Sequence, residues 1–204
     1  QEKCESAGVV HVKPTKEIND YLKDAIQKKQ TICYLPTNSH EHQIKLWSLL
    51  AIQPGNEQAS IEFIKGVINL RNYKTDEEIA EIEKACNVTV DMHLAAIRTV
   101  SPGIRECHIS AAIEAVPNAH NYRVSFPTIA TINGQTLHNH YHGNMIKKGD
   151  LFLLDAGAET EMGYAGDMSS TIPADPQFTP RQREIYEIQL ACHEASVAAL
   201  RPGI

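Results

Sequence analysis

The sequence of 204 residues predicts a mixed α/β (α+β) protein in two parts. Three observations carry that expectation. Residues before about 69 alternate short apolar runs with helical pattern, a long capped helix begins at Thr75, and strand-like runs follow over 124–136 and 151–172. The expected domains are 1–69 and 70–204.

In the first part, Thr15 is expected to cap a helix in which Ile18, Leu22, Ala25 and Ile26 share one face. A strand, Thr31-Ile-Cys-Tyr-Leu35, should follow and stop at Pro36. A second helix is expected over 41–52, ended by Pro54-Gly55. These make a small α/β domain, expected to be incomplete and trimmed at its N-terminus, since Gln1 is no natural start residue.

The second part opens on Thr75-Asp-Glu-Glu78, a capping box in which each end residue satisfies the other's backbone N–H. Ile79, Ile82, Cys86, Val90, Leu94 and Ile97 then step by three or four residues, which predicts one packed helix face before Pro102-Gly103 ends the helix. Another helix is expected over 104–116, and Asn133-Gly134 marks a turn. A weak repeat links Glu78-Ile-Ala-Glu-Ile-Glu-Lys-Ala-Cys86 with Glu184-Ile-Tyr-Glu-Ile-Gln-Leu-Ala-Cys192. Both copies start at a boxed Thr and run to Pro-Gly-Ile. On this reading the chain is a fragment, and half of a symmetric fold lies beyond Ile204.

With 42% hydrophobic and 22% charged residues, the composition is that of an ordinary globular protein. A net charge of -6 argues against a nucleic-acid or membrane-surface partner. Five scattered cysteines without CxxC spacing fit a reduced, cytoplasmic setting. No apolar run approaches the ~18 residues of a membrane span, and residues 1–5 lack a signal-peptide core.

The main functional clue is the pair Asp155 and Asp167. Each alone reads as a strand-end or turn residue. If the flanking apolar runs form a hairpin turning near Glu161, cross-strand partners have numbers summing to 322, and Asp155 faces Asp167. Directly opposed Cβ atoms lie roughly 4.5–5.5 Å apart, where like charges are destabilising. Between Gly149 and Pro180 there are six acids and no Lys or Arg, so no local salt bridge relieves the pair. A divalent cation would. Oxygen ligands suit Mn²⁺, Mg²⁺ or Ca²⁺, and Zn²⁺ or Fe²⁺ when His joins.

His138, His140 and His142 alternate by two and would share one strand face if extended. Such a face suits metal ligation or proton transfer, or it is simply polar and solvated. His40, His42, His93, His108 and His193 are read as structural or solvated. HExxH, GxSxG, P-loop and GxGxxG patterns are absent, which lowers the corresponding hydrolase and dinucleotide classes. A cupin would want a Glu soon after the histidines, and 143–149 holds none.

Taken together, His138, Asp155-Ala-Gly-Ala-Glu, Gly163-Tyr-Ala-Gly-Asp167 and Thr171 resemble the first half of the active site of the pita-bread metallopeptidases. The branch most similar is that of Xaa-Pro aminopeptidases and prolidases. Lys74-Thr-Asp-Glu-Glu-Ile79, Ser101-Pro-Gly-Ile-Arg-Glu106 and Gly149-Asp150 support the match. The resemblance implies a creatinase-like N-terminal domain, then the N-terminal half of a pita-bread domain. It implies a site for two divalent ions in which Asp155 chelates one and Asp167 bridges both, and so carboxylate-rich a site favours Mn²⁺. The remaining His and two Glu ligands would lie beyond Ile204. His138 would be the catalytic, non-ligand histidine, the substrate a peptide with proline at its second position, and the assembly a homodimer. One departure is that Asp167-Met-Ser-Ser-Thr171 lacks the Arg often found near the end of this strand in aminopeptidase P. A non-catalytic binding protein on the same fold, and a hydrolase of methionyl peptides or creatine, are the rival readings.

Overall fold

The computed structural model describes residue 9 and residues 11–50 and 59–203, and these fall into two units, Gln1–Tyr73 and Lys74–Ile204. The Pro54-Gly55 stop and the N-terminal pentapeptide lie outside the described residues. Cys33, Cys86, Cys107 and Cys192 are free thiols. No helix among the described residues is long and apolar enough to cross a membrane.

In the first unit a 3-10 turn, Thr15–Glu17, leads into α1 (Ile18–Gln27), followed by α2 (His40–Leu50) and α3 (Ile61–Asn72). Thr15 is not the cap: Pro14 precedes the turn and offers no side-chain acceptor. Ser60 caps α3 by accepting from the Phe63 N–H. The expected strand over 31–35 forms no ladder. Its Tyr34 carbonyl accepts one bond from the Ser60 N–H, and β-propensity without a partner strand does not make a strand.

In the second unit α4 (Asp76–Thr99) begins at the capping box as expected, the Thr75 N–H donating to Glu78 Oε2 at 2.8 Å and the Glu78 N–H to Thr75 Oγ1 at 3.3 Å. The buried face of α4 is not the expected stripe. Ala85, Val88, Thr89, Met92 and Ala96 are buried, while Ile79, Val90, Leu94 and Ile97 are exposed. Small side chains decide this, because they let the helix approach the strands where a larger face would hold it off. A Cβ on Gly166 would overlap Thr89 Oγ1 and come within 3.0 Å of the Ala85 carbonyl oxygen. Thr89 Oγ1, which donates to the Ala85 carbonyl, also accepts from the Ala158 N–H at 3.0 Å and so ties helix to strand.

After α4 come α5 (Glu106–Ala119), β1 (Arg123–Val124), β2 (Ile129–Thr131), β3 (Leu151–Ala156), β4 (Ala158–Glu159), β5 (Met168–Pro173) and α6 (Pro180–Ala199). β2, β3 and β5 form an antiparallel sheet in that order, and β1 pairs with β4. Burial alternates along β3, with Phe152, Leu154 and Ala156 buried and Leu151, Leu153 and Asp155 only partly so. The buried face packs with Met92 and Ala96 of α4 and Ile109 and Ile113 of α5 into one apolar core. The opposite face of β3 carries Asp155.

The repeat is visible in the geometry of its ends. α6 opens with its own box, Thr179 with Gln182, and both α4 and α6 run out through an extended residue to a glycine of positive φ, Gly103 and Gly203.

Candidate metal centre

The register of β3 and β5 differs from the expected one. Paired residues sum to 324, so Asp155 faces Ser169 and Ala156 faces Met168. On the far side of Gly157 the same register resumes, with the Gly166 N–H donating to the Ala158 carbonyl at 2.8 Å and Glu159 bridging to Ala165. Asp167 therefore falls opposite Gly157, two residues along from the partner of Asp155. The turn explains the shift. The Thr160 N–H donates to the Tyr164 carbonyl, enclosing the three-residue loop Glu161-Met162-Gly163 with Gly163 at φ +82. The hairpin thus turns about Met162 rather than Glu161.

A change of two in register preserves the face of every side chain, since the period of a strand is two. Asp155 and Asp167 are accordingly diagonal neighbours on one face, for which separations of about 7–8 Å are usual. Among the described residues neither carboxylate is in an ion pair with Lys or Arg. Asp155 Oδ1 is buried with no hydrogen-bond partner. Such an atom is costly to leave unpaired, and an acceptor-only group of this kind calls for a donor or a cation.

Glycines on either side of the aspartates allow the close approach. A Cβ on Gly157 would overlap the Gly166 carbonyl oxygen and Ser125 Oγ. Ser125 Oγ donates to that carbonyl at 2.8 Å, and the Ser125 N–H donates to the Gly157 carbonyl at 2.9 Å. The short motifs Asp-Ala-Gly and Ala-Gly-Asp are thus the places where backbone meets backbone.

His93 of α4 is not without partners, as its isolated place in the sequence suggested. It lies behind the sheet, with Nε2 3.0 Å from the Met168 carbonyl and Nδ1 2.8 Å from Ser170 Oγ. A carbonyl only accepts, so Nε2 carries a proton; when the ring is neutral, the Ser170 hydroxyl donates to Nδ1. Burial pushes the imidazole below its ordinary range, against the opposing pull of the Met168 and Ala156 backbone and of the Asp155 charge. The ring pins the first residues of β5, immediately after Asp167.

The three clustered histidines do not form a strand face. Turn geometry runs through 134–138, His138 has φ +54, and the side chains of His138 and His140 are exposed. Alternation by two applies only to extended chain. His142 is half-buried, and its Nε2 has no partner. No hydrogen bond joins His138 to either aspartate among the described residues. These also hold no cluster of three or more His, Cys, Asp or Glu able to hold a metal, so the carboxylate pair stands alone.

On the Asp155 face, a groove of about 600 Å³ runs between β5 and α6, lined by Leu151, Ser169, Thr171, Phe178, Ile185 and Tyr186 among others. The two aspartates are not in its lining. Gln182 Nε2 donates to the Gly149 carbonyl, and the Gly149 N–H to Asp175 Oδ2, which fastens the start of α6 to the strand ends.

The chain is 39% identical over 142 residues to the Xaa-Pro aminopeptidase of Escherichia coli K12, a match covering 67% of this chain and 32% of that protein. Among solved structures, proline aminopeptidase P II from Yersinia pestis superimposes with a TM-score of 0.80 at 28% identity, covering 100% of this chain and 49% of that one. Zinc-substituted E. coli aminopeptidase P in complex with product gives a TM-score of 0.80 at 32% identity, covering 96% and 47%. The chain thus spans about half the length of these solved relatives, and its fold is the mixed α/β pita-bread fold. The model of metallopeptidase family M24 matches residues 80–204, and the chain belongs to that family.

Proposed function

We propose that this chain forms the N-terminal region and the first half of the catalytic domain of a metal-dependent peptidase that hydrolyses Xaa-Pro bonds. The observation that carries the reading is the buried, unpartnered Asp155 Oδ1 on the face it shares with Asp167, with no Lys or Arg among the described residues paired to either. The carboxylate oxygens fit hard divalent ions, which favours Mn²⁺, and the resemblance to the Xaa-Pro branch supports two of them. Asp155 and Asp167 would be the residues of this chain that hold them. Residues 1–69 would be the creatinase-like domain and 70–204 the pita-bread half.

The chemistry such ions supply is activation of a water and polarisation of the amide carbonyl. The chain's own part is rigid presentation of the ligands. β3 fixes Asp155 between two paired strands, and His93 with the Gly157–Gly166 contact fixes the strand that follows Asp167. His138 would donate to the oxygen that gains charge, or pass a proton to the leaving proline nitrogen. An Xaa-Pro bond suits such a site because its tertiary amide has no N–H for a general protease to hold. A homodimer in the cytoplasm completes the reading, with a peptide carrying proline at its second position as substrate and neither nucleic acid nor membrane as partner.

The test is cleavage by the full-length protein, with Mn²⁺ supplied, of a Gly-Pro dipeptide, a longer Xaa-Pro peptide and a Met-Ala peptide. Release of the residue before proline, with the Met-Ala peptide left intact, is expected. Cleavage of the methionyl peptide alone, or of none, would overturn the proposal.

A further inference from the structure

Glu106 is wholly buried, yet no Lys or Arg pairs with it among the described residues. Four donors satisfy it instead. Oε1 accepts from Thr131 Oγ1 at 2.9 Å and the Ile132 N–H at 2.8 Å, and Oε2 accepts from the Asn144 N–H at 3.1 Å and Asn144 Nδ2 at 2.9 Å. Ile132 directly follows β2, where the chain enters the histidine loop, and Asn144 is the residue by which the chain leaves it. One carboxylate therefore closes the loop at its base.

The same helix end grips the returning limb a second time, through the Glu106 N–H to the Asn144 carbonyl at 3.1 Å and the Cys107 N–H to the His142 carbonyl at 2.9 Å. Inside the loop the hydrogen bonds are local, as in Thr136 to Asn133 and Tyr141 to Asn139. Among the described residues, the hydrogen bonds that tie the loop to the rest of the chain thus lie at its base. A buried carboxylate with every lone pair used is costly to disturb, which keeps the base rigid.

The geometry points to Glu106 as a positioning residue that acts on the reaction through the 133–143 loop and its His138, rather than by touching substrate. This rests on the role proposed above for His138. Glu106→Gln has nearly the same shape, but whichever way its amide sits, an NH2 faces two donors.

The experiment uses the full-length protein. In the metal-free form, hydrogen exchange of the 133–143 amides should rise about ten-fold in Glu106→Gln, while the 152–156 and 168–173 amides keep wild-type protection. With metal restored to wild-type content, kcat on an Xaa-Pro peptide should fall about ten-fold or more with KM little changed. In a His138→Ala background the same substitution should cost less than about two-fold further, because both changes remove one function. Fully additive losses, or exchange that rises equally in loop and strands, would overturn the proposal. Should Glu106→Gln not fold, Asn144→Ala removes one donor only and should raise loop exchange alone; wild-type loop exchange in it would overturn the proposal. If the wild-type protein cleaves no Xaa-Pro peptide, the peptidase reading fails, and the exchange measurement by itself decides whether Glu106 holds the loop.

Discussion

Asp155 faces Ser169 across β3 and β5, and Asp167 sits one diagonal step away on the same face. That offset weakens the expected repulsion, since Asp167 is exposed and not directly opposite. What remains is the buried Asp155 Oδ1, which has no donor or cation among the described residues. The diagonal arrangement also leaves a hydroxyl, Ser169, directly across from Asp155 where a second charge had been expected.

The register depends on Gly163, so the turn is open to a direct test. With φ +82, an L-residue there meets the left-handed penalty of about 1–2 kcal/mol. Gly163→Ala is expected to lower unfolding free energy by about that amount, and Gly163→Asn by less, because Asn tolerates this conformation. Urea denaturation of the two variants measures the difference. Equal losses would show that the conformation at 163 does not set the hairpin.

Much of the second unit was legible because its signals are local. Thr75 with Glu78 and Thr179 with Gln182 each satisfy backbone groups within one turn, so sequence alone specifies them. The facing of α4 was not legible, since Ala85, Thr89 and Ala96 are buried for their smallness against Gly166 and the strands, which no periodicity of large apolar residues reports. The hairpin register had a readable signal, a glycine third in a three-residue turn, and centring the turn on Glu161 missed it. Thr31–Leu35 has strand composition, but pairing is a property of the partner as much as of the run. The histidine cluster misled in the other direction: spacing by two describes a face only where the backbone is extended, and His138 is not. Glu106 and His93 gave no sequence signal of their roles, because their partners lie 25 or more residues away.

A pH-dependent effect is expected at the start of α4. Glu78 accepts from the Thr75 N–H and from the Tyr164 hydroxyl at 2.8 Å, and these bonds hold its carboxyl below the ordinary value of 4.5. A lowered folded value means that the unfolded chain binds the proton more readily, so the stabilisation is present above the ordinary value and is lost as pH falls through the folded one. Tyr164→Phe removes one of the two bonds. Its stability deficit should be measurable by denaturation at pH 7 and should vanish once the pH lies below the folded value. A deficit of the same size at both pH values would show that the hydroxyl acts through packing and not through the carboxylate.

The most direct test of the central claim is the divalent-metal content of the full-length protein, measured beside its Asp167→Asn variant after dialysis against Mn²⁺. The substitution keeps the shape of the side chain and removes its charge. The account predicts about two ions per chain in the wild type and a sharp loss of uptake in the variant, with both proteins folded. Equal metal content in the two would contradict it.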